Sequence, residues 1–460
     1  MTDYGNILGK QRAFFASGTT KDVKFRLAAL KKLEESIENN TELLMEALNK
    51  DLGKSKEESY MTEIGICMSE ISYMKNNVQR LSKSRKVKTP RVFLANTSRY
   101  VNEPLGNILI IVPWNYPVHL ALVPLVGAIA AGNTATIKVS CQVPETVKAL
   151  QHTINTVFDE EYIHVADATP GASSNVLDEK YDMIFFTGSP NTGRTVMEKA
   201  SKNLTPVILE LGGKSPCVVT SDVDTDKAAK RICFGKFTNA GQTCVAPDYV
   251  LVHRDIKDKL IESIKKNIIE FYGVAPEESA DFGRIVNERQ YDRLMSLIEG
   301  RDVVFGGYGN RDDLFFAPTI VNCKNQDDLS SKLMTEEIFG PILPVISYSN
   351  INDAIDFINK RPKPLALYIF TQEKILSDMI INRTSSGGVT INDTLIHMSS
   401  NFLPFGGVGQ SGMGQYHGET SFEAFSHKKS IMAASRNIDT KVYPPYSMGW
   451  EKIKNLMKFL

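Results

Sequence analysis

The chain has 460 residues, which excludes a single small core and leads one to expect two or three domains. Lys plus Arg and Asp plus Glu both number 53, a balance that leaves no electrostatic footprint for nucleic acid or an anionic membrane. The six cysteines (Cys67, Cys141, Cys217, Cys233, Cys244 and Cys323) contain no CxxC pair and are too few for a disulfide framework, so a reducing, cytoplasmic setting is expected.

The N-terminal "MTDYGNILGKQRAFF" lacks the apolar core of a signal peptide. The first eighty residues read as helical. Leu30, Leu33 and Ile37 share one helix face, and the apolar period continues through Leu43, Leu44 and Leu48. A basic run, Lys83 to Arg91, reads as a solvated connector, followed by an extended arm "TSRYVNEP". From Asn107 apolar runs alternate with helical stretches: "ILIIV", a helix from Val118, "TATIKV", a helix after Pro144, "YIHVAD", "MIFF", a helix from Asn191, and "PVILE". The Val118 stretch holds a histidine, a proline and two glycines, so a buried helix is expected there and not a membrane span. A second block repeats the alternation with "CVVT", "YVLVH", "LPVISY", "LALYIF" and "GGVTIN". Fully apolar strands between helices predict α/β architecture: two doubly wound parallel sheets joined by an extended arm. The C-terminal "WEKIKNLMKFL" is too short and too charged to span a bilayer; it is expected to lie on a surface or against a partner.

Three motifs fail on context. "GVGQSG" from Gly407 matches GxGxxG but does not open a βαβ unit. "GGKS" from Gly212 ends like a phosphate-binding loop, yet Ile208 stands where its first glycine belongs. "DVDTD" from Asp222 has the acids of a calcium loop, but Lys227 occupies the obligatory glycine. The seven histidines form no close pair and no HExxH, so no metal is expected.

Four other segments belong together. "NAGQTC" ends in Cys244, "LELGGKSP" carries Glu210, "PWNYP" carries Trp114 and Asn115, and "EEIFGP" carries Glu337 and Phe339. Strand ends that run into glycine-rich loops are where α/β sheets present reactive groups. Each residue also has a structural reading: Cys244 as apolar filler, Glu210 as a cap, Asn115 as a turn former, Phe339 as core.

In order and spacing these segments resemble the aldehyde dehydrogenase superfamily, from about residue 5 to about residue 445. "KPLALYIF", "SGGVTINDTLIHMSSNFLPFGGVGQSGMG" and "YHGETSFEAFSHKKS" resemble its class 3 branch in particular. The resemblance implies that Cys244 attacks an aldehyde, aided by the positive ring of bound oxidised nicotinamide. It further implies that the Asn115 amide and the Cys244 backbone N–H stabilise the oxyanion. Glu210 then activates the water that hydrolyses a thioester. Lys236 would add positive potential or serve structure.

For an NAD or NADP cofactor the resemblance implies a Rossmann variant in which Gly188, Ser189 and Gly193 meet the pyrophosphate. Trp114 adds a contact there, Lys138 holds the adenosine ribose, Glu337 holds the nicotinamide ribose, and Phe339 packs near the ring. NAD-selective relatives carry a glutamate where this chain has Cys141, which predicts that NADP is accepted.

The implied organisation is a cofactor domain (1–82 and 104–211), a catalytic domain (212–420), an oligomerisation element (83–103 and 421–445) and a C-terminal tail (446–460), with a homodimer expected. Tyr116 and the apolar residues of "NDTLIHMSSNFLPF" suggest a hydrophobic aldehyde, medium-chain aliphatic or aromatic. The alternatives are a coenzyme A-acylating relative, which generally lacks the base, a cysteine esterase or acyltransferase without redox chemistry, and a non-catalytic protein on the same fold.

Overall fold

The computed structural model describes residues 3–93, 95–168, 176–324, 326–438 and 443–459. The ends of the expected first and last segments (1–2 and 460) and part of the expected oligomerisation element (439–442) lie outside them.

Helices Tyr4–Ala16, Val23–Asn39, Thr41–Leu52 and Gly65–Leu81 are the longest of the N-terminal region. Leu30, Leu33 and Ile37 are fully buried, as are Leu44 and Leu48. Leu43 instead faces solvent, because one residue advances the face by about 100° and adjacent leucines cannot both point inward. The basic run is not wholly a connector. Its Arg85–Val87 forms β1, paired antiparallel with β2, Thr97–Pro104. Pairing supplies backbone partners while the charged side chains stay in water, which suits an edge strand.

The first large sheet contains β3 (Asn107–Val112), β4 (Thr134–Val139), β5 (Ile163–Val165), β6 (Met183–Gly188) and β7 (Val207–Leu211). Their spatial order is β7-β6-β3-β4-β5, all parallel, with Ile110 opposite Ile137 on one side and Phe185 on the other. The chain moves outward from β3 through β4 to β5, then returns to β6 on the other flank. Strand order therefore reverses between β3 and β6, and such a point leaves a crevice at the carboxyl ends of the strands. The helix Pro117–Ala131 between β3 and β4 is buried at every position, which is why its sequence is apolar all round.

The second sheet is built from β8 (Pro216–Val219), β9 (Tyr249–His253), β10 (Val303–Phe305), β13 (Thr319–Cys323), β14 (Ile342–Tyr348), β15 (Ala366–Phe370) and β16 (Gly388–Ile391). A small hairpin, β11 (Gly309–Asn310) and β12 (Phe315–Phe316), stands beside it. Only β10 runs antiparallel in that sheet. Two later strands return to earlier sheets. β17 (Gly412–Met413) pairs with β7 and sets Gly412 opposite Glu210. β18 (Ser426–Ala433) pairs with β2 along its whole length, so the arm and the "FSHKKSI" strand meet. The tail carries an amphipathic helix, Trp450–Met457, with no buried residue.

Candidate active site

The loop that ends in Cys244 is bent by three successive left-handed residues, Asn239 (φ 54°), Ala240 (φ 49°) and Gly241 (φ 74°). Only glycine adopts that region without penalty, and backbone strain of this kind gathers at functional sites. The surroundings hold the turn. The Asn239 N–H donates to Glu58 Oε1 at 2.9 Å, and Gln242 Nε2 donates to the carbonyls of Asn239 at 3.1 Å and Arg284 at 2.9 Å. The Val286 N–H donates to Gln242 Oε1 at 3.0 Å. Gln242 thus uses its whole carboxamide to fix the backbone two residues before the thiol.

The segment after β3 is fastened to this loop. Asn115 Nδ2 donates to the Gln242 carbonyl at 3.0 Å, and the Tyr116 and Thr243 hydroxyls lie 2.6 Å apart. One N–H of the Asn115 amide remains for another acceptor. Cys244 is half-buried. Burial, then the charges of Glu337 and Glu210, push the thiol up to about 12, so without a bound cation it is neutral at physiological pH.

Glu210 sits near the end of β7, almost fully buried, and neither carboxylate oxygen has a hydrogen-bond partner. Burial alone raises its pKa well above the ordinary carboxylate value. A buried, unpaired carboxylate is costly to fold, and such groups concentrate where a base is needed. Glu337 is half-buried as a residue, with its Oε1 buried, and is pushed up to about 8, by desolvation of the carboxylate first and by Asp248 second. Its carboxylate packs over Gly212 so closely that a Cβ there would stand 2.0 Å from Oε2. Lys214 is ion-paired to Asp248 and donates to the carbonyls of Leu333 at 2.8 Å and Glu336 at 2.7 Å. The Ile338 N–H donates to Asp248 Oδ1 at 3.0 Å. These bonds present Glu337 and Phe339, the latter in a left-handed conformation (φ 49°) with its ring edge-on to Trp114 at 5.3 Å.

The expected cofactor residues border the crevice between β3 and β6. Gly188 ends β6, Ser189 caps the helix Pro190–Ser201 by accepting from the Thr192 N–H, and Gly193 lies in its first turn. The positive end of such a helix suits a pyrophosphate, although the Thr192 and Gly193 N–H groups are already bonded to Ser189. Lys138 near the end of β4 is buried and donates to the Val139 carbonyl at 2.9 Å, while Cys141 just beyond is exposed. The unpartnered Glu337 Oε1, the Trp114–Phe339 pair and the glycine-lined helix start fit a dinucleotide. Lys236 is fully buried, its ammonium lacks a hydrogen-bond partner, and burial lowers its pKa to about 8. Among the described residues no group of His, Cys, Asp and Glu is placed to hold a metal, and no helix is long and apolar enough to cross a membrane.

Sequence reasoning missed three buried charged residues behind Asn115: Lys54, Glu58 and Glu63. Read locally, "KSKEESYMTE" is a run of surface charge, and nothing in its spacing marks these three as buried.

Two largely parallel α/β sheets, a strained loop ending in a cysteine and the unpartnered carboxylates of Glu210 and Glu337 fit a cofactor-dependent oxidoreductase. Residues 7–431 match the aldehyde dehydrogenase family. The 4,4'-diaponeurosporen-aldehyde dehydrogenase of Staphylococcus aureus is 46% identical over 97% of this chain and 97% of its own length. Aldehyde dehydrogenase family 3 member A2 of Rattus norvegicus is 41% identical over 97% of this chain and 93% of its own. A solved substrate-bound state of Staphylococcus aureus AldH superposes with a TM-score of 0.96 at 44% identity, covering 99% of this chain and 100% of that one. A betaine aldehyde dehydrogenase from the same organism, solved with NAD+, gives 0.85 at 26% identity over 96% and 89%. The chain belongs to the aldehyde dehydrogenase family, in its family 3 branch, and is an NAD(P)-dependent oxidoreductase acting on aldehydes.

Proposed function

We propose that the protein oxidises a hydrophobic aldehyde to its carboxylic acid through covalent chemistry at Cys244. The observation that carries this reading is the bond from Asn115 Nδ2 to the Gln242 carbonyl, which sets an amide donor beside the thiol loop while the unpaired Glu210 carboxylate acts electrostatically on the same sulfur.

With the positive ring of the bound cofactor beside it, the Cys244 thiol would release its proton to solvent; its sulfur bonds to the aldehyde carbon, moving the carbonyl electron pair onto oxygen. That oxygen accepts from the spare Asn115 N–H and from the Cys244 backbone N–H, an arrangement whose donors are each worth about 10² to 10³ in rate. The oxidised nicotinamide, when bound, supplies the acceptor for the hydride. Trp114, Lys138, Gly188, Ser189, Gly193, Glu337 and Phe339 would hold that cofactor. Oxidation leaves a thioester on Cys244. Glu210 takes a proton from the water that cleaves it, releasing the acid and the free thiol. The presence of Glu210 weighs against transfer to coenzyme A.

Hydrophobic specificity is supported by Ile396, Phe402 and Leu403, which lie exposed in the "NDTLIHMSSNFLPF" segment. The 46% identical relative is named for 4,4'-diaponeurosporen-aldehyde, itself an aldehyde. The open edge of β18 supports a homodimer, and six free thiols support a cytoplasmic setting. The two large sheets and the arm support a division into 1–82 with 104–211, 212–420, 83–103 with 421–445, and 446–460. The test is nicotinamide reduction with acetaldehyde, hexanal, dodecanal, benzaldehyde and farnesal, each with NAD+ or NADP+. Turnover favouring the longer aldehydes is expected. Turnover only after coenzyme A is added would shift the assignment to an acylating enzyme.

NADP tolerance rests on Cys141 standing near Lys138 in place of a carboxylate. A carboxylate there would face the 2′-phosphate, and like charges at about 4 Å with an effective dielectric of about 20 repel by about 4 kcal/mol. Cys141→Glu is therefore expected to lower the NADP/NAD ratio of kcat/KM by at least about tenfold, after allowance for screening at this exposed position. An unchanged ratio would remove Cys141 from the account of cofactor choice.

A further inference from the structure

Behind the Asn115 loop lies an ion pair that the chemistry above does not use. Lys54 and Glu63 are both fully buried, and Lys54 Nζ stands 2.5 Å from Glu63 Oε1. The same ammonium donates to the Asn115 carbonyl at 3.1 Å and lies 4.0 Å from the centre of the Tyr116 ring. The second carboxylate oxygen, Glu63 Oε2, accepts from the N–H groups of Val118 at 2.8 Å and His119 at 3.2 Å, two otherwise free donors in the first turn of the helix Pro117–Ala131. One ion pair thus grips the β3-to-helix loop at Asn115 and again three and four residues on. Glu63 itself comes from a π-helical turn, Tyr60–Ile64, a rare distortion that often marks functional positions.

Asn115 needs such a grip. Its Oδ1 is buried without a partner, so its carboxamide is held from the nitrogen end alone, by the bond to the Gln242 carbonyl. Turning the amide over would set two acceptors against each other. The direction of the remaining N–H is therefore decided by where the backbone is held. That backbone has two anchors at its carbonyl, Lys54 Nζ and Asn239 Nδ2 at 2.8 Å. A buried ion pair adds little stability over an apolar pair of similar volume. What it adds here is direction.

We propose that Lys54, locked by Glu63, is a positioning residue that holds the Asn115 carboxamide with one N–H aimed at the reacting oxygen. The proposal rests on the reading of Asn115 as an oxyanion donor. Removing Lys54 alone would leave Glu63 buried and unpaired, so the test is the double change Lys54→Met with Glu63→Gln, made in the wild-type and in an Asn115→Ala background.

Four quantities are read: kcat and KM for hexanal with saturating NAD+, the Kd of NAD+, the melting temperature, and cofactor-free hydrolysis of p-nitrophenyl acetate. The double change is expected to leave Kd and melting temperature near wild type. It should lower kcat and the ester rate about 10- to 30-fold, a part of the 10² to 10³ carried by a whole oxyanion donor, with KM changed less than about threefold. In the Asn115→Ala background it should lower either rate by no more than about twofold, because the group it positions is gone. Equal fold-losses in both backgrounds, or no loss in the wild-type background, would overturn the proposal. Wild-type turnover in Asn115→Ala alone would overturn the oxyanion reading itself and the proposal with it. Should the double variant not fold, Lys54→Arg retains the charge but spreads its donors over a planar fork; a kcat loss of about fivefold that vanishes with Asn115→Ala is expected, and a loss that persists overturns the proposal.

Discussion

Cys244→Ala is expected to abolish aldehyde oxidation, with kcat falling on the order of 10⁶-fold, the scale on which loss of an enzyme nucleophile is felt. Binding of NAD+ and thermal stability should change little. The side chain is only half-buried, and the groups around it hold one another: Gln242 with Arg284 and Val286, Tyr116 with Thr243. Nicotinamide reduction, with NAD+ binding measured in parallel, checks both halves. A variant that keeps even about a hundredth of wild-type turnover would mean that the aldehyde is oxidised without bonding to this sulfur.

Glu210→Gln should act at a different point. It keeps the shape of the side chain and removes only the base, so about 10² to 10⁴ of the steady-state rate is at stake. The loss should fall on thioester hydrolysis: a first turnover of reduced nicotinamide, then near-arrest. The pH profile gives the sign. Because burial raises the pKa of Glu210, its base form appears only as pH rises through that elevated value, so wild-type hydrolysis should climb with pH above the ordinary carboxylate range. The Gln variant should lose that climb. Glu337, pushed up to about 8, also titrates in this interval, as do Glu58 and Glu70 at about 7, and Glu337→Gln serves as a control that should retain the climb.

The fold was legible wherever burial dictated composition. β3 and β6 announce themselves through the apolar runs ILIIV and MIFF because both faces of a parallel sheet are covered. The reactive residues were legible for a related reason: Glu210, Asn115 and Glu337 stand where apolar runs give way to glycine or proline. Their convergence was not. Asn115 and Cys244 are joined through the Gln242 carbonyl, a contact between residues 127 positions apart that no local pattern encodes. The left-handed turn at Asn239 and Ala240 was equally hidden, since neither residue type requires it and only surrounding bonds impose it. The basic run misled because β1 owes its pairing to β2, not to its own side chains. Lys54 and Glu63 were the most hidden of all: a charged pair signals water until its partner is seen.

The central claim is that an acyl group passes through Cys244 and is released by Glu210. Intact-protein and peptide mass spectrometry of Glu210→Gln, quenched in acid after one turnover with hexanal and NAD+, tests it most directly. The account predicts a hexanoyl group on the peptide containing Cys244, absent when Cys244→Ala is added. Unmodified protein after stoichiometric formation of reduced nicotinamide, or acylation at another residue, would contradict it.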